Sequence, residues 1–102
     1  MAVRCEHEDR EMTLWLSGEV DHHRAREMME EMDRQIETWM PRSLTVEMSG
    51  VTFMDSSGIA VLLRAYRRLR ELGGAVRVSG VPAQAAKVLR AAGLQKMMTI
   101  EE

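Results

Sequence analysis

The sequence predicts an α/β domain: a small mixed β-sheet packed with helices, in the order β-β-α-β-α-β-α-β. Three observations predict it. Apolar periodicity switches between two and about 3.6 residues from segment to segment. Glycine and proline fall at most of the switches. The chain of 102 residues, 45% of them hydrophobic, fits a single core, and no repeat, low-complexity stretch or linker divides it, so one domain over residues 1–102 is expected.

Residues 2–7 form a weak strand candidate, which residues 8–11 can join as a hairpin to a stronger strand at 12–17. There Met12, Leu14 and Leu16 alternate with Thr13 and Trp15, and Gly18 is expected to break the strand. A helix follows. Ala25, Met28, Met29, Met32, Ile36 and Met40 make one apolar stripe, with Glu27, Glu30, Glu31, Asp33 and Arg34 on the solvent side. Asp21 is its expected N-cap, and Pro41 stops it by disfavouring helical geometry at Met40. Residues 44–48 alternate again and are expected inside the sheet. A second helix is predicted over 57–72, with stripe Ile59, Leu62, Leu63, Tyr66 and Leu69 and with Arg64, Arg67, Arg68 and Arg70 outward; Gly73 and Gly74 end it. Residues 75–79 form a short strand, Pro82 opens a third helix that Gly93 closes, and residues 97–100 form a closing strand.

Composition excludes several functions. Sixteen acidic and 14 basic residues give a formal net charge of -2, against a nucleic-acid binder with a clustered basic face. The longest apolar run, residues 59–63, is far short of the ~20 residues of a membrane span. The start is acidic and lacks an apolar stretch, so neither a signal nor a transit peptide is expected. The lone Cys5 cannot staple the fold, which suits a reducing cytoplasm. Ten methionines beside four aromatics (Trp15, Trp39, Phe53 and Tyr66) fit a Met-rich core better than a Met-lined recognition surface.

The candidate site lies at residues 51–59, where a strand runs into the second helix. Helix N-termini expose unpaired N–H groups and favour a negative group. Ser56 is the expected N-cap, leaving the Ser57 hydroxyl free, and Gly58 allows another molecule to come close. Redundant capping by Asp55, Ser56 and Ser57 is the plainer reading of the residues alone. Ser57 does not fit a nucleophile elbow: Asp55 and Ile59 occupy the glycine positions, and all three histidines lie upstream. His22 and His23 are adjacent on a helix start, without the cluster a metal needs, so no metal or other cofactor is expected. The arginines after Leu63 read as a solvated face, given Glu71 and the acidic first helix, and not as a phosphate or nucleic-acid patch.

Three blocks, Gly18-Glu-Val-Asp-His-His23, Phe53-Met-Asp-Ser-Ser-Gly-Ile59 and Leu63-Arg-Ala-Tyr-Arg-Arg-Leu-Arg-Glu-Leu-Gly-Gly74, resemble the STAS-domain anti-anti-sigma factors. The likeness is strongest to the anti-sigma-F antagonists of sporulating bacteria and covers roughly residues 3–100. D-S-S-G alone is moderately specific; joined to G-E-x-D-H-H it is strong.

The resemblance implies a STAS fold and a cytoplasmic partner-switching protein, not an enzyme. It implies binding to an anti-sigma factor that is also a GHKL-type serine kinase, release of a sigma factor, phosphorylation of Ser57 by that kinase, and reversal by a PP2C-type phosphatase. It assigns the partner surface to Glu19, Asp21 and His22 of the first block, Asp21 foremost, and to Met54, Asp55, Ser56 and Gly58 of the second. Met54, beside the switch serine, is the methionine to test. Nucleic acid and membrane are not expected as direct partners. The sporulation members continue past the position of Glu102 into a further helix, whose absence would leave some apolar surface exposed. Arg64 stands where the family usually has a small residue, and Ala65 precedes Tyr66. Alternatives are a STAS module of a general stress pathway, which G-E-x-D-H-H disfavours, and a small-ligand or nucleotide-binding STAS domain, which lacks a glycine-rich cradle here and would set Asp55 against a phosphate.

Overall fold

A computed structural model describes residues 3–102. Strand β1 (Val3–Glu8) turns through Asp9 and Arg10 into β2 (Glu11–Val20), and the two pair antiparallel. Asp9 takes a φ of 55°, a left-handed value that Asp tolerates better than most residues. Of the first strand expected at 2–7, Ala2 lies outside the described residues. Helix α1 (His22–Trp39), β3 (Ser43–Met54), α2 (Ser57–Glu71), β4 (Ala75–Ser79), α3 (Ala83–Ala91), a 3₁₀ turn (Leu94–Lys96) and β5 (Thr99–Ile100) follow.

The sheet order is β1-β2-β3-β4-β5, and every neighbouring pair after the first is parallel. Each crossover steps one strand in the same direction, so right-handed connections place all three helices on one face. Burial agrees with this. Leu14, Val46 and Val78 are buried on the helical face, whereas Thr13, Thr45 and Arg77 on the other face are not. Six of the ten methionines, Met12, Met28, Met32, Met48, Met54 and Met98, lie in the core, as the composition suggested.

Four expectations need correction. Gly18 does not end β2; at φ 81° it takes part in a register irregularity, and the strand runs on to Val20. β3 is 12 residues long, not five, because it continues through residues 49–54. Met40 leaves the buried stripe of α1: next to Pro41 it becomes a left-handed C-cap with φ 48°, half-exposed, its N–H still donating to the Ile36 carbonyl at 2.8 Å. On α2 the deepest positions are Gly58, Val61, Leu62, Ala65 and Leu69, while Ile59, Leu63 and Tyr66 pack along the flank. Gly58 packs directly against the Met54 side chain at the end of β3, and Val61 is buried with it.

α1 and α2 lie side by side, and two arginines of α2, Arg64 and Arg68, are paired across that seam. Arg64 donates to both Asp33 oxygens at 2.8 and 3.0 Å from Nε, and Arg68 bonds Glu37 at 3.2 Å.

Candidate functional site

The two conspicuous blocks of sequence meet because β2 and β3 are parallel neighbours that end together. Val20 stands opposite Met54, and the Asp55 N–H donates to the Val20 carbonyl at 3.2 Å. Both strands then run directly into helices, so α1 and α2 begin at the same end of the sheet. The alignment depends on two extra residues in β3. Between Trp15↔Glu47 and Ser17↔Gly50, and again between Gly18↔Val51 and Glu19↔Phe53, β3 advances one residue further than β2. Each bulge resets the alternation, and Met48, Val51 and Met54, three apart, all point to the core. Glu47 holds the first bulge, its carboxylate accepting from the Ser49 N–H at 2.8 Å and the Ser79 hydroxyl at 2.9 Å. Hydrogen bonding from the Ser49 side chain first, and then from its N–H and the Ser79 hydroxyl, keeps the Glu47 carboxyl below its ordinary pKa. Gly18 is needed for its positive φ; the Arg24 guanidinium, 3.1 Å from where a Cβ would stand, is the end of an exposed side chain that can shift aside.

Each helix start is capped by an aspartate. Asp21 accepts the Arg24 N–H at 2.9 Å, the expected cap, and that bond is the main reason its pKa is lowered. At α2 the capping side chain is Asp55, which accepts the Ser57 N–H at 2.7 Å. Ser56, the expected N-cap, is exposed and already helical at φ -63° and ψ -15°, and its hydroxyl makes no cap bond. A capping side chain needs an extended backbone to reach forward, and Ser56 does not have one.

The remaining expected residues divide by exposure. Glu19 and His22 are exposed, and Asp21, Asp55 and Ser57 are half-buried, all at this end of the sheet. Met54 and Gly58 are buried, Met54 to 1% exposure, so in this state they support the surface from beneath and do not line it. The space spared by Gly58 is taken by the Met54 side chain, not left for a visiting molecule: a Cβ there would stand 2.5 Å from Met54 Cε. The exposed apolar neighbour is Phe53, opposite Glu19 on β3 and 44% exposed. The bulges made this hard to read, because they decide which of Phe53 and Met54 turns inward. Arg26 was also missed. It lines a groove between α1 and α2 together with His22, Ala25, Met29, Ser57 and Ala60. Helical spacing from His22 to Arg26 and Met29 could have suggested that face.

The rest of the described chain offers little competing chemistry. No group of three or more His, Cys, Asp or Glu among the described residues could hold a metal ion, and no helix there is long and apolar enough to cross a membrane. His7 stacks on Trp39 with ring centroids 3.5 Å apart; on β1 it pairs with Met12, far along the sheet from Val20. Cys5 is half-buried on β1, and burial pushes its thiol pKa up.

The sequence pattern of the STAS domain matches residues 2–102. The anti-sigma F factor antagonist of Paenibacillus polymyxa is 31% identical over 100 residues, covering 98% of this chain and 86% of that protein. The unphosphorylated anti-sigma factor antagonist SpoIIAA superposes with a TM-score of 0.84 at 24% identity, covering 97% of this chain and 87% of that one. An anti-sigma factor antagonist from Mycobacterium paratuberculosis gives a TM-score of 0.86 at 22% identity, covering 97% and 83%. With the family pattern running nearly end to end, a relative above 30% identity and the same fold, the chain belongs to the STAS domain family.

Proposed function

We propose that this protein is an anti-sigma factor antagonist controlled by phosphorylation of Ser57. In its unphosphorylated form it binds an anti-sigma factor that is also a GHKL-type serine kinase, and the bound sigma factor is released. Phosphate on Ser57 switches that binding off, and a PP2C-type phosphatase restores it. The protein works in the cytoplasm and regulates transcription, sporulation being the branch its first block favours. The observation that carries this reading is the parallel pairing of β2 with β3 out to Val20↔Met54, which sets Glu19, Asp21 and His22 beside Asp55, Ser56 and Ser57 on one surface. The 31% identity to the Paenibacillus polymyxa antagonist supports it independently.

The physics of the switch follows from the surroundings of Ser57. Phosphorylation adds roughly -1.5 to -2 charges and three acceptor oxygens at the first turn of α2, the favourable end of the helix dipole. The Ser57 N–H is held by Asp55, and the groove beside it carries His22 and Arg26, so the local charge is mixed. The domain has no need to refold to accommodate the phosphate. A partner fitted to the bare hydroxyl, by contrast, meets a bulky dianion where Phe53 and Glu19 also face outward. Losing about 3 kcal/mol of binding would weaken affinity more than a hundredfold, enough for a switch.

The test is incubation with the host's anti-sigma serine kinase and ATP, followed by mass spectrometry of the protein and of Ser57→Ala. One phosphate on the unaltered protein and none on the variant is expected. Phosphate on Ser56, or on both proteins equally, would overturn the assignment. Amide spectra of the two forms should differ only around residues 53–60; shifts spread over the sheet would refute switching without refolding.

A further inference from the structure

The last residue of β3 is held by a side chain from α3. Gln84 accepts the Met54 N–H at Oε1, 2.9 Å away, and donates from Nε2 to the Met54 carbonyl at 2.8 Å. A side-chain amide offers one donor and one acceptor side by side, as a peptide unit does, so Gln84 stands where the next strand of a sheet would. That place is vacant. β4 pairs with β3 only from Ser43↔Ala75 to Glu47↔Ser79, and beyond Glu47 β3 has no strand neighbour on that edge. In a parallel ladder, successive residues turn their N–H and C=O to opposite edges. Asp55 donates to Val20 of β2, so the Met54 groups face the other way, into the vacancy. With Gln84 in place Met54 is 1% exposed, and Gln84 is itself exposed, so its amide is what stands between these backbone groups and solvent.

The clamp sits three residues before the proposed phosphoacceptor. Gln84 fixes Met54; Asp55 follows it, bonded backward to Val20 and forward, through its carboxylate, to the Ser57 N–H. Met54 also fills the space left by Gly58, one residue beyond Ser57. The position of the Ser57 turn is thus set from both sides by a residue whose own place depends on α3. We propose that Gln84 is a positioning residue for Ser57, holding the acceptor turn in the geometry from which the kinase takes it. This rests on the reading of Ser57 as the phosphoacceptor. Since phosphoryl transfer depends on in-line placement of the attacking oxygen, misplacing the turn slows the chemical step more than it weakens docking.

The experiment compares the full chain with Gln84→Met, which keeps side-chain length and removes both hydrogen bonds, and Gln84→Glu, which keeps an acceptor for the Met54 N–H and removes the donor. Lys87→Met, an exposed change elsewhere on α3, is the control. Each is assayed with the host's anti-sigma kinase and ATP, with unfolding curves to confirm that it is folded at the assay temperature. The expected result is a kcat for Ser57 phosphorylation lowered roughly 10- to 100-fold in Gln84→Met with KM within about twofold, a comparable loss in Gln84→Glu, whose second carboxylate oxygen is set against the Met54 carbonyl, and none in Lys87→Met. Amide exchange at Met54 should speed up in both Gln84 variants. If Gln84→Met does not fold, Gln84→Glu carries the same kcat test. Unchanged kcat in the folded Gln84 variants, or a change in KM alone, would overturn the positioning role while leaving the functional reading intact. Failure of the unaltered protein to take phosphate on Ser57 would overturn both.

Discussion

Replacing Gly58 by alanine perturbs the packing beneath Ser57 without touching any exposed group. A Cβ at this position would stand 2.5 Å from Met54 Cε and 2.6 Å from its Cγ and Sδ. Carbon atoms in good contact sit roughly 3.5–4.0 Å apart, so the methionine must move by about an ångström. A terminal methyl could swing away cheaply. Cγ cannot, because it lies next to a backbone held by Gln84 on one edge and, through Asp55, by Val20 on the other. Gly58 does not have a positive φ, so alanine meets no backbone strain and gains up to about 1 kcal/mol of helix propensity. Overpacking a core position costs about 1–3 kcal/mol, so the balance lies between no change and a net loss of about 3 kcal/mol. Urea unfolding followed by circular dichroism reads it directly. The cause is isolated by repeating the change in a Met54→Ala background. That background is itself destabilised by about 2–5 kcal/mol, but there the extra methyl has room and should be neutral or mildly stabilising. An effect of Gly58→Ala that is the same in both backgrounds would refute the reasoning.

Other consequences can be measured in the same way. Asp55→Ala should cost about 0.5–2 kcal/mol through loss of the Ser57 N–H cap, whereas Ser56→Ala should stay within about 0.5 kcal/mol, since its hydroxyl caps nothing; the reverse order in urea unfolding would return the cap to Ser56. Arg64→Ala should lose about 0.3–1 kcal/mol at low salt and less in 1 M NaCl, because its pair with Asp33 is half-exposed and screened; a salt-independent loss would point to packing instead. The Asp21 carboxyl is held below its ordinary pKa first by the Arg24 N–H, so its contribution is complete above the unfolded value of about 3.9 and fades as pH falls through the lower folded value. Asp21→Asn, which can still cap, should therefore flatten the acid limb of the stability curve; an unchanged limb would show that other carboxylates carry it.

Much of this was legible in the residues. The element order, the boundaries of β4, the Asp21 cap and the stop at Pro41 follow from spacing and punctuation, since each is decided within a few residues. What escaped was decided between strands. The apolar positions Met48, Val51 and Met54 repeat every three residues, which matches neither a strand nor a helix. Only the two bulges against β2 explain them. Without the bulges β3 reads as five residues, Gly18 as a strand end, and Phe53 and Met54 cannot be assigned to faces. The stripe on α2 was rotated for a related reason: Gly58 and Ala65 carry little hydrophobic signal, yet they are among its buried positions. Gln84 gave no local sign, because its partner lies 30 residues away in the chain.

The central claim is that one surface, built where β2 and β3 end, is switched by charge at Ser57. The most direct measurement is the affinity of the anti-sigma kinase for the unphosphorylated and Ser57-phosphorylated domain, titrated calorimetrically in one buffer. The expected result is tight binding of the first and at least about a hundredfold weaker binding of the second, equivalent to about 3 kcal/mol. Equal affinities for two folded forms would contradict it.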